Sequence, residues 1–179
     1  MTDKPKDTIL LFGNIFVSIL QGISALATGV VVLLVPVILL ASQGMMSGLF
    51  DADALPIVAQ APLPGVSLML LLAAICTALF FFFAKMRAII RSIGEGDPFI
   101  PANARRLQAM AWLLLSVEVL AVLVGAMRVY LANSVAGTAD RMSFSIYDLS
   151  GLLMVVTLFI LARVFTHGAA MRDDLEGTV

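Results

Sequence analysis

The chain of 179 residues is 61% hydrophobic and only 13% charged, with a mean hydropathy of +1.05 and a net charge of −1. Soluble domains are about 45–50% apolar and about 25% charged, so this chain has too few polar residues to cover a globule of its size. The composition excludes a soluble enzyme, a secreted disulfide-rich domain and a disordered chain. It predicts an integral membrane protein, and without a basic bias we expect no direct binding to nucleic acid.

Charge-free stretches locate the membrane spans. No charged residue lies between Asp7 and Asp51, and none lies between Asp53 and Lys85. About 20 apolar residues, rising about 1.5 Å each, cross a hydrocarbon core of about 30 Å. We therefore predict an all-α, four-helix membrane bundle as a single domain, with spans at about 9–41, 66–90, 107–131 and 144–165. Pro36 removes one backbone donor from the first span and can bend it.

The first span also shares a feature with secretory signal peptides. Lys4 and Lys6 precede an apolar run, and Ala25-Leu26-Ala27 has the small-x-small form of a cleavage site. The apolar run continues without a break through Val35, so cleavage would divide a membrane helix. We expect this helix to be retained.

The distribution of positive charge predicts the orientation. If the N-terminus is cytoplasmic, nine of the eleven Lys and Arg residues fall on the inner side, and only Arg128 and Arg141 fall outside. Lys and Arg accumulate on the cytoplasmic side of membrane spans, so we predict that both termini are cytoplasmic. The predicted inner loop is then 91–106, and the predicted outer loops are 42–65 and 132–143.

The inner loop contains the most specific motif of the chain. It reads Gly94-Glu95-Gly96-Asp97-Pro98-Phe99-Ile100-Pro101-Ala102-Asn103-Ala104-Arg105-Arg106-Leu107. Glycine accepts the positive φ that a helix end needs, and Pro101 suits the first turn of the next helix. Arg105 and Arg106 are placed to meet phospholipid phosphates. The glycines lack the spacing of a nucleotide-binding loop, so we interpret this segment as a rigid turn with a basic anchor.

The pattern Gly96-x-Pro98-Phe99, followed by Asn103-x-x-Arg106-Leu107, resembles the signature of a bacterial family known as domain of unknown function 2975. The tail from Gly168 to Val179 resembles that family's acidic C-terminal segment, although Gly177 stands where leucine is common. The resemblance extends over essentially the whole chain. It implies a small four-helix protein of the bacterial inner membrane, of no established activity, whose relatives are often encoded beside a small helix-turn-helix regulator.

Polar groups at membrane depth are candidates for function because they are costly to bury. Glu118 lies about 16 Å beyond Leu107 along the third span, near the middle of the bilayer. The first span offers partners in one stripe of polar or small residues: Asn14, Ser18, Gln21, Ala25 and Thr28. We predict a cluster of Glu118 with Gln21, Ser18 and Asn14, interpreted as hydrogen-bonding glue between helices. A proton or ion pathway and a switch that responds to a partner or ligand are the alternatives.

Other polar residues offer little chemistry. Arg128 and Asp148 are predicted at the outer ends of adjacent antiparallel helices, where they can form an ion pair. The single histidine, His167, is predicted at the cytoplasmic edge, where we expect no Ser-His-Asp or Cys-His set to assemble. One histidine and one cysteine, Cys76, also cannot supply a multi-cysteine zinc site or a haem held by two histidines of one chain. We therefore expect no enzymatic activity, no catalytic residue, no cofactor and no metal site.

Two functions from different classes remain. The first is an interaction or regulatory protein of the lipid bilayer that binds a cytoplasmic partner through its inner loop and C-terminal tail. The resemblance would make that partner a helix-turn-helix transcription regulator. The alternative is a small transporter or channel subunit in which Glu118 moves protons or ions. Four helices with one central acid make a thin pathway, so this alternative calls for a homo-oligomer.

Overall fold

The described residues of the computed structural model are 8–43, 45, 62–96, 98–135 and 150–176. They form four helices: α1 (Thr8–Ser42), α2 (Pro62–Gly94), α3 (Pro101–Val135) and α4 (Ser150–Glu176). Each helix is long and apolar enough to cross a membrane. The predicted all-α fold class and the prediction of a multi-pass membrane protein are therefore confirmed.

The helices extend beyond the predicted spans. α2 begins at Pro62 rather than at about residue 66, and α3 continues to Val135 rather than to about 131. Only residues 95–100 separate α2 from α3, so both ends of the predicted inner loop of 91–106 are helical. The reason is that helical hydrogen bonds are internal, and a helix need not end where the hydrocarbon ends. Lys and Arg near its ends reach the aqueous phase through their long side chains.

α1 agrees with its predicted span of about 9–41 within one residue at each end, whereas α4 extends beyond its predicted end. α1 passes through Pro36 as one helix of 35 residues, since neighbouring groups in membrane proteins can compensate for the donor that proline lacks. α4 begins at Ser150 and runs to Glu176, well beyond the predicted end near 165. The predicted start of the fourth span, 144–149, lies outside the described residues.

The structure divides into two compact units. The first unit comprises α1 as far as Ser24, α2 from Ala78, α3 as far as Ser116, and α4. In this unit α4 buries Val155, Ala162 and Ala169. This seven-residue spacing presents a single face of the helix, and its alanines permit close approach of a neighbouring helix.

Two further contacts hold the first unit together. Trp112 of α3 and Phe159 of α4 pack edge to face, with ring centroids 5.4 Å apart. On the other side of the unit, a Cβ built on Gly13 of α1 would lie 3.8 Å from the Ile90 side chain of α2, which is ordinary van der Waals contact. The first unit is therefore built from packed helices with small residues at several contacts.

The second unit contains the remaining parts of α1, α2 and α3. Ala73 and Leu131 are its buried apolar side chains among the described residues. The Ser67 hydroxyl donates a hydrogen bond to the Pro64 carbonyl at 2.8 Å and lies 3.8 Å from the sulfur of Met127. These contacts connect the beginning of α2 with the end of α3.

Many large apolar side chains are exposed, and few are fully buried. Leu26, Leu33 and Leu153 are 65–71% exposed, and many other residues of the four helices are exposed to a similar degree. A water-soluble monomer rarely exposes contiguous apolar surface of this extent. The exposed helix faces are therefore suited to contact with lipid.

Candidate functional site

The candidate site lies at the connector between α2 and α3, residues 95–100. The Gly96 N–H donates to the Ile93 carbonyl at 3.0 Å, and Gly96 has a φ of 97°. Only glycine adopts this left-handed conformation without strain, so the predicted role of glycine at the end of this helix is confirmed. α3 begins at Pro101, which confirms the predicted position of that proline.

Asn103 joins the connector to both helices. Its side chain is fully buried, with 0% exposure. The amide nitrogen donates to the Ser92 hydroxyl at 2.7 Å and to the Pro98 carbonyl at 2.9 Å. The amide oxygen accepts a hydrogen bond of 2.8 Å from Arg106. Every polar atom of this buried side chain is therefore used, which is the condition under which burial of an amide is tolerated.

Arg106 is held partly inward. Its Nη1 donates to the Asn103 amide oxygen and, at 3.2 Å, to the Ala88 carbonyl of α2. The sequence predicted that Arg106 would point to phospholipid phosphates. The structure assigns one of its terminal nitrogens to two protein acceptors, the Asn103 amide oxygen and the Ala88 carbonyl. The signature residues Asn103 and Arg106 thus brace the corner between two helices.

The connector also packs against α4. The Phe99 ring lies 5.1 Å from the ring of Phe165, measured between centroids, at an interplanar angle of 35°. A Cβ at Gly168 would come within 2.8 Å of the Phe99 ring, so glycine is required for this contact. Sequence reasoning missed the pairing, although Phe99 belongs to the connector motif and Gly168 begins the tail motif.

A polar groove lies beside this corner, entirely within the first unit. Its cavity volume is about 400 Å³, and its polar or charged lining residues are Gln21, Arg87, Arg91, Ser92, Glu95 and Arg106. Arg87 Nε donates to the Asn14 amide oxygen at 3.2 Å. Sequence reasoning missed Arg87 and Arg91 as site residues. Their spacing of four residues on one helix face was the available signal.

The predicted intramembrane cluster is divided between the two units. Asn14, Ser18 and Gln21 belong to the first unit, whereas Glu118 belongs to the second. The Ser18 hydroxyl donates to the Asn14 carbonyl of its own helix at 2.6 Å. Glu118 is half-buried. The pairing of Glu118 with the polar stripe of α1 stays a prediction.

The other predicted residues have simple surroundings. Arg128 and His167 are exposed, and Cys76 is a free, half-buried thiol. Asp148 lies outside the described residues, so its ion pair with Arg128 stays a prediction. In the part of the chain that the structure describes, no group of three His, Cys, Asp or Glu side chains could hold a metal ion.

Comparison with known proteins places the chain in a family. Searches of curated proteins and of solved structures gave no significant match. A family profile matches residues 49–179, a stretch that contains α2, the connector, α3 and α4. The match begins after α1, so the family resemblance covers less of the chain than the sequence motifs predicted. It covers far more than half of the chain, which therefore belongs to the family described as "Protein of unknown function (DUF2975)".

Proposed function

We propose that this protein is an interaction protein of a bacterial inner membrane that binds a cytoplasmic partner through the connector and the C-terminal part of α4. The observation that supports the proposal is the packing of Phe99 on Phe165 and Gly168. This contact holds the two predicted binding segments side by side, so that one partner can touch both.

The proposed binding surface consists of Phe99, Arg105, Gln108, Thr166, Ala170 and Met171. Arg105 and Gln108 of α3 face Thr166 and Ala170 of α4 across a cleft of about 410 Å³. Phe99 is 42% exposed and Met171 is 64% exposed. Aromatic residues, methionine and arginine are enriched in the centres of protein interfaces, so this composition suits a protein partner.

The charge around the connector supports a cytoplasmic location for this surface. Basic residues flank it on both helices: Lys85, Arg87, Arg91, Arg105 and Arg106. Basic flanks of membrane spans are retained in the cytoplasm, and both termini then lie there as well. A small helix-turn-helix regulator, the partner that the family resemblance implied, would be held at the membrane and away from DNA.

The test is co-sedimentation of membranes with a purified small helix-turn-helix regulator, the class of partner that the family resemblance implies. We expect the regulator to sediment with membranes that contain the wild-type protein. Arg105→Gln combined with Met171→Ser should weaken binding about tenfold, since loss of central interface contacts commonly costs about 1–2 kcal/mol. The control combines Lys85→Gln with Met45→Ser, two exposed residues outside the binding surface, and should bind normally.

The alternative function is proton or ion movement through Glu118. Within its own unit, no described residue forms a hydrogen bond with the half-buried Glu118 carboxyl. Two results together would favour this alternative. The wild-type protein would carry a proton flux into liposomes that is lost in Glu118→Gln, and the regulator would not sediment with the membranes. If both double variants reduce sedimentation of the regulator equally, the result counts against the proposed binding surface.

A further inference from the structure

We propose that the polar groove binds a phosphate group carried by an anionic membrane phospholipid. The groove is bounded by Gln21 of α1, by Arg87 and Arg91 of α2 and by Arg106 of α3. Its volume of about 400 Å³ lies within the range of about 300–1,000 Å³ that is typical of small-molecule sites. Phosphate is the ligand chemistry that its charge and donor geometry fit.

The charge of the groove favours an anion. Among the described residues that line it, three guanidinium groups are opposed by one carboxylate, that of Glu95. The local formal charge is therefore +2. The planar guanidinium group donates two parallel hydrogen bonds to neighbouring phosphate oxygens, and a phosphate group has enough oxygens to accept from more than one arginine of the groove.

Protein contacts fix two of the arginines and leave donors open. Arg106 uses Nη1 for Asn103 and Ala88, and Arg87 uses Nε for Asn14. Each guanidinium group has five N–H donors. The remaining donors of Arg87 and Arg106 have no acceptor among the described residues. The Arg91 guanidinium likewise has no hydrogen-bond acceptor there. Donors that are held in place before binding lower the entropy lost when a ligand binds.

The position of the groove along α2 points to a lipid as the carrier of the phosphate. α2 has no charged residue from Pro62 to Ala84, a stretch long enough to cross a core of about 30 Å at about 1.5 Å per residue. Arg87 and Arg91 follow directly, at the depth of lipid headgroups. Near Gln21, α1 also exposes Ile19 and Ile23, by 56% and 57%, which offers an apolar surface for acyl chains.

Native mass spectrometry of the full chain in detergent tests the proposal. Phosphatidylglycerol, phosphatidylcholine and glycerol 3-phosphate are titrated separately. We expect phosphatidylglycerol to bind about tenfold more tightly than phosphatidylcholine, whose choline group would meet the arginines. Arg91→Gln should weaken phosphatidylglycerol binding about tenfold, because a hydrogen bond to a charged group is lost. Arg91→Lys should bind with intermediate affinity, because it keeps the charge and loses the planar fork.

Two further variants make the test specific to the groove. Arg163→Gln removes the same kind of side chain from an exposed position on α4 and should leave lipid binding unchanged. Glu95→Gln removes the one carboxylate among the described lining residues of the groove and should strengthen binding severalfold. Glu95 is exposed, so this variant remains informative even where Arg91→Gln fails to fold.

Three outcomes would overturn the proposal. The first is equal affinity for the two lipids, and the second is an Arg163→Gln variant that binds as weakly as Arg91→Gln. The third is tight binding of glycerol 3-phosphate without binding of phosphatidylglycerol, which would identify a soluble phosphate compound as the ligand. Failure of the proposed partner interaction would not affect this result, because the lining of the groove and the proposed binding surface share no residue.

Discussion

Asn103 is a fully buried polar residue in a protein whose surface is largely apolar. Its amide reaches Ser92 near the end of α2, Pro98 in the connector and Arg106 one turn further along α3. Its backbone N–H donates to the Ile100 carbonyl at 2.9 Å. One side chain thus completes the hydrogen bonding of three segments. A buried group of this kind fixes geometry, because removing it leaves several partners unsatisfied.

Asn103→Ala should lower the free energy of unfolding by about 2 kcal/mol, because a lost partner in a buried network costs about 1–3 kcal/mol. Thermal unfolding in detergent measures the change. Asn133→Ala provides the control, since Asn133 is an exposed asparagine on the same helix and its replacement should cost less than about 0.5 kcal/mol. Equal destabilisation by the two variants would mean that the buried network does not stabilise the fold.

For single residues, the sequence predicted backbone roles more accurately than it predicted side-chain contacts. Gly96 and Pro101 were assigned correctly because each acts through its own backbone conformation. Arg106 was expected to meet phospholipid phosphates, which stays a prediction, and the hydrogen bonds of its Nη1 to Asn103 and to the Ala88 carbonyl were not foreseen. That outcome depends on how α2 and α3 meet, which local sequence does not specify.

At the level of elements, the connector of residues 95–100 is short because the flanking helices continue past the predicted hydrocarbon boundary. The apolar stretches were predicted correctly since hydropathy reports burial in lipid. The ends of α2 and α3 and the C-terminal end of α4 were not predicted correctly, since residues in the headgroup region can be helical without being apolar. The docking of the connector on α4 could not be predicted from either motif alone, because it joins Phe99 to Gly168, which are distant in sequence.

Gly168→Ala should disturb this docking, because the new Cβ would lie 2.8 Å from the Phe99 ring. We expect a loss of about 1–2 kcal/mol in stability, the range of modest overpacking. Gly22→Ala is the matched control: no atom lies within 4 Å of its built Cβ. That variant should be neutral, or more stable by up to about 1 kcal/mol, since alanine favours helix over glycine.

A double variant tests whether the loss of stability in Gly168→Ala arises from the contact with Phe99. Once Phe99→Leu has removed the ring, the added methyl group at residue 168 should be tolerated. The two substitutions should therefore be non-additive by about 1 kcal/mol in a thermal-unfolding cycle. Strict additivity would show that the strain at Gly168 arises from another contact.

At the level of the whole molecule, the surface and the sequence composition agree. Side chains such as Leu26 and Leu33 are exposed by about 70%, which suits a lipid environment and not water. Composition alone was sufficient to predict a membrane protein, because the excess of apolar residues exceeds what any compact fold of this length can bury. Composition does not identify the partner or the ligand, since binding of either depends on a few side chains around the connector.

Orientation is the remaining property of the whole molecule, and it determines which side the connector faces. Both the proposed binding surface and the basic groove require the connector to be cytoplasmic. Nine of the eleven Lys and Arg residues would then lie on the inner side, in keeping with the bias of cytoplasmic flanks. A paired set of reporter fusions can measure this directly, with one reporter active only in the cytoplasm and one active only outside it.

Fusions after Arg91 and after Val179 should show cytoplasmic reporter activity, and fusions after Ser42 and Val135 should show external activity. The reason is that α1 and α2 must cross in opposite directions if each spans the bilayer once, and the charges near Arg91 resist translocation. Fusions after Ser42 and Val135 control for expression, because they report the opposite side from the same chain. An external signal after Arg91 would reverse the orientation, place the connector outside the cell and remove the basis for a cytoplasmic partner.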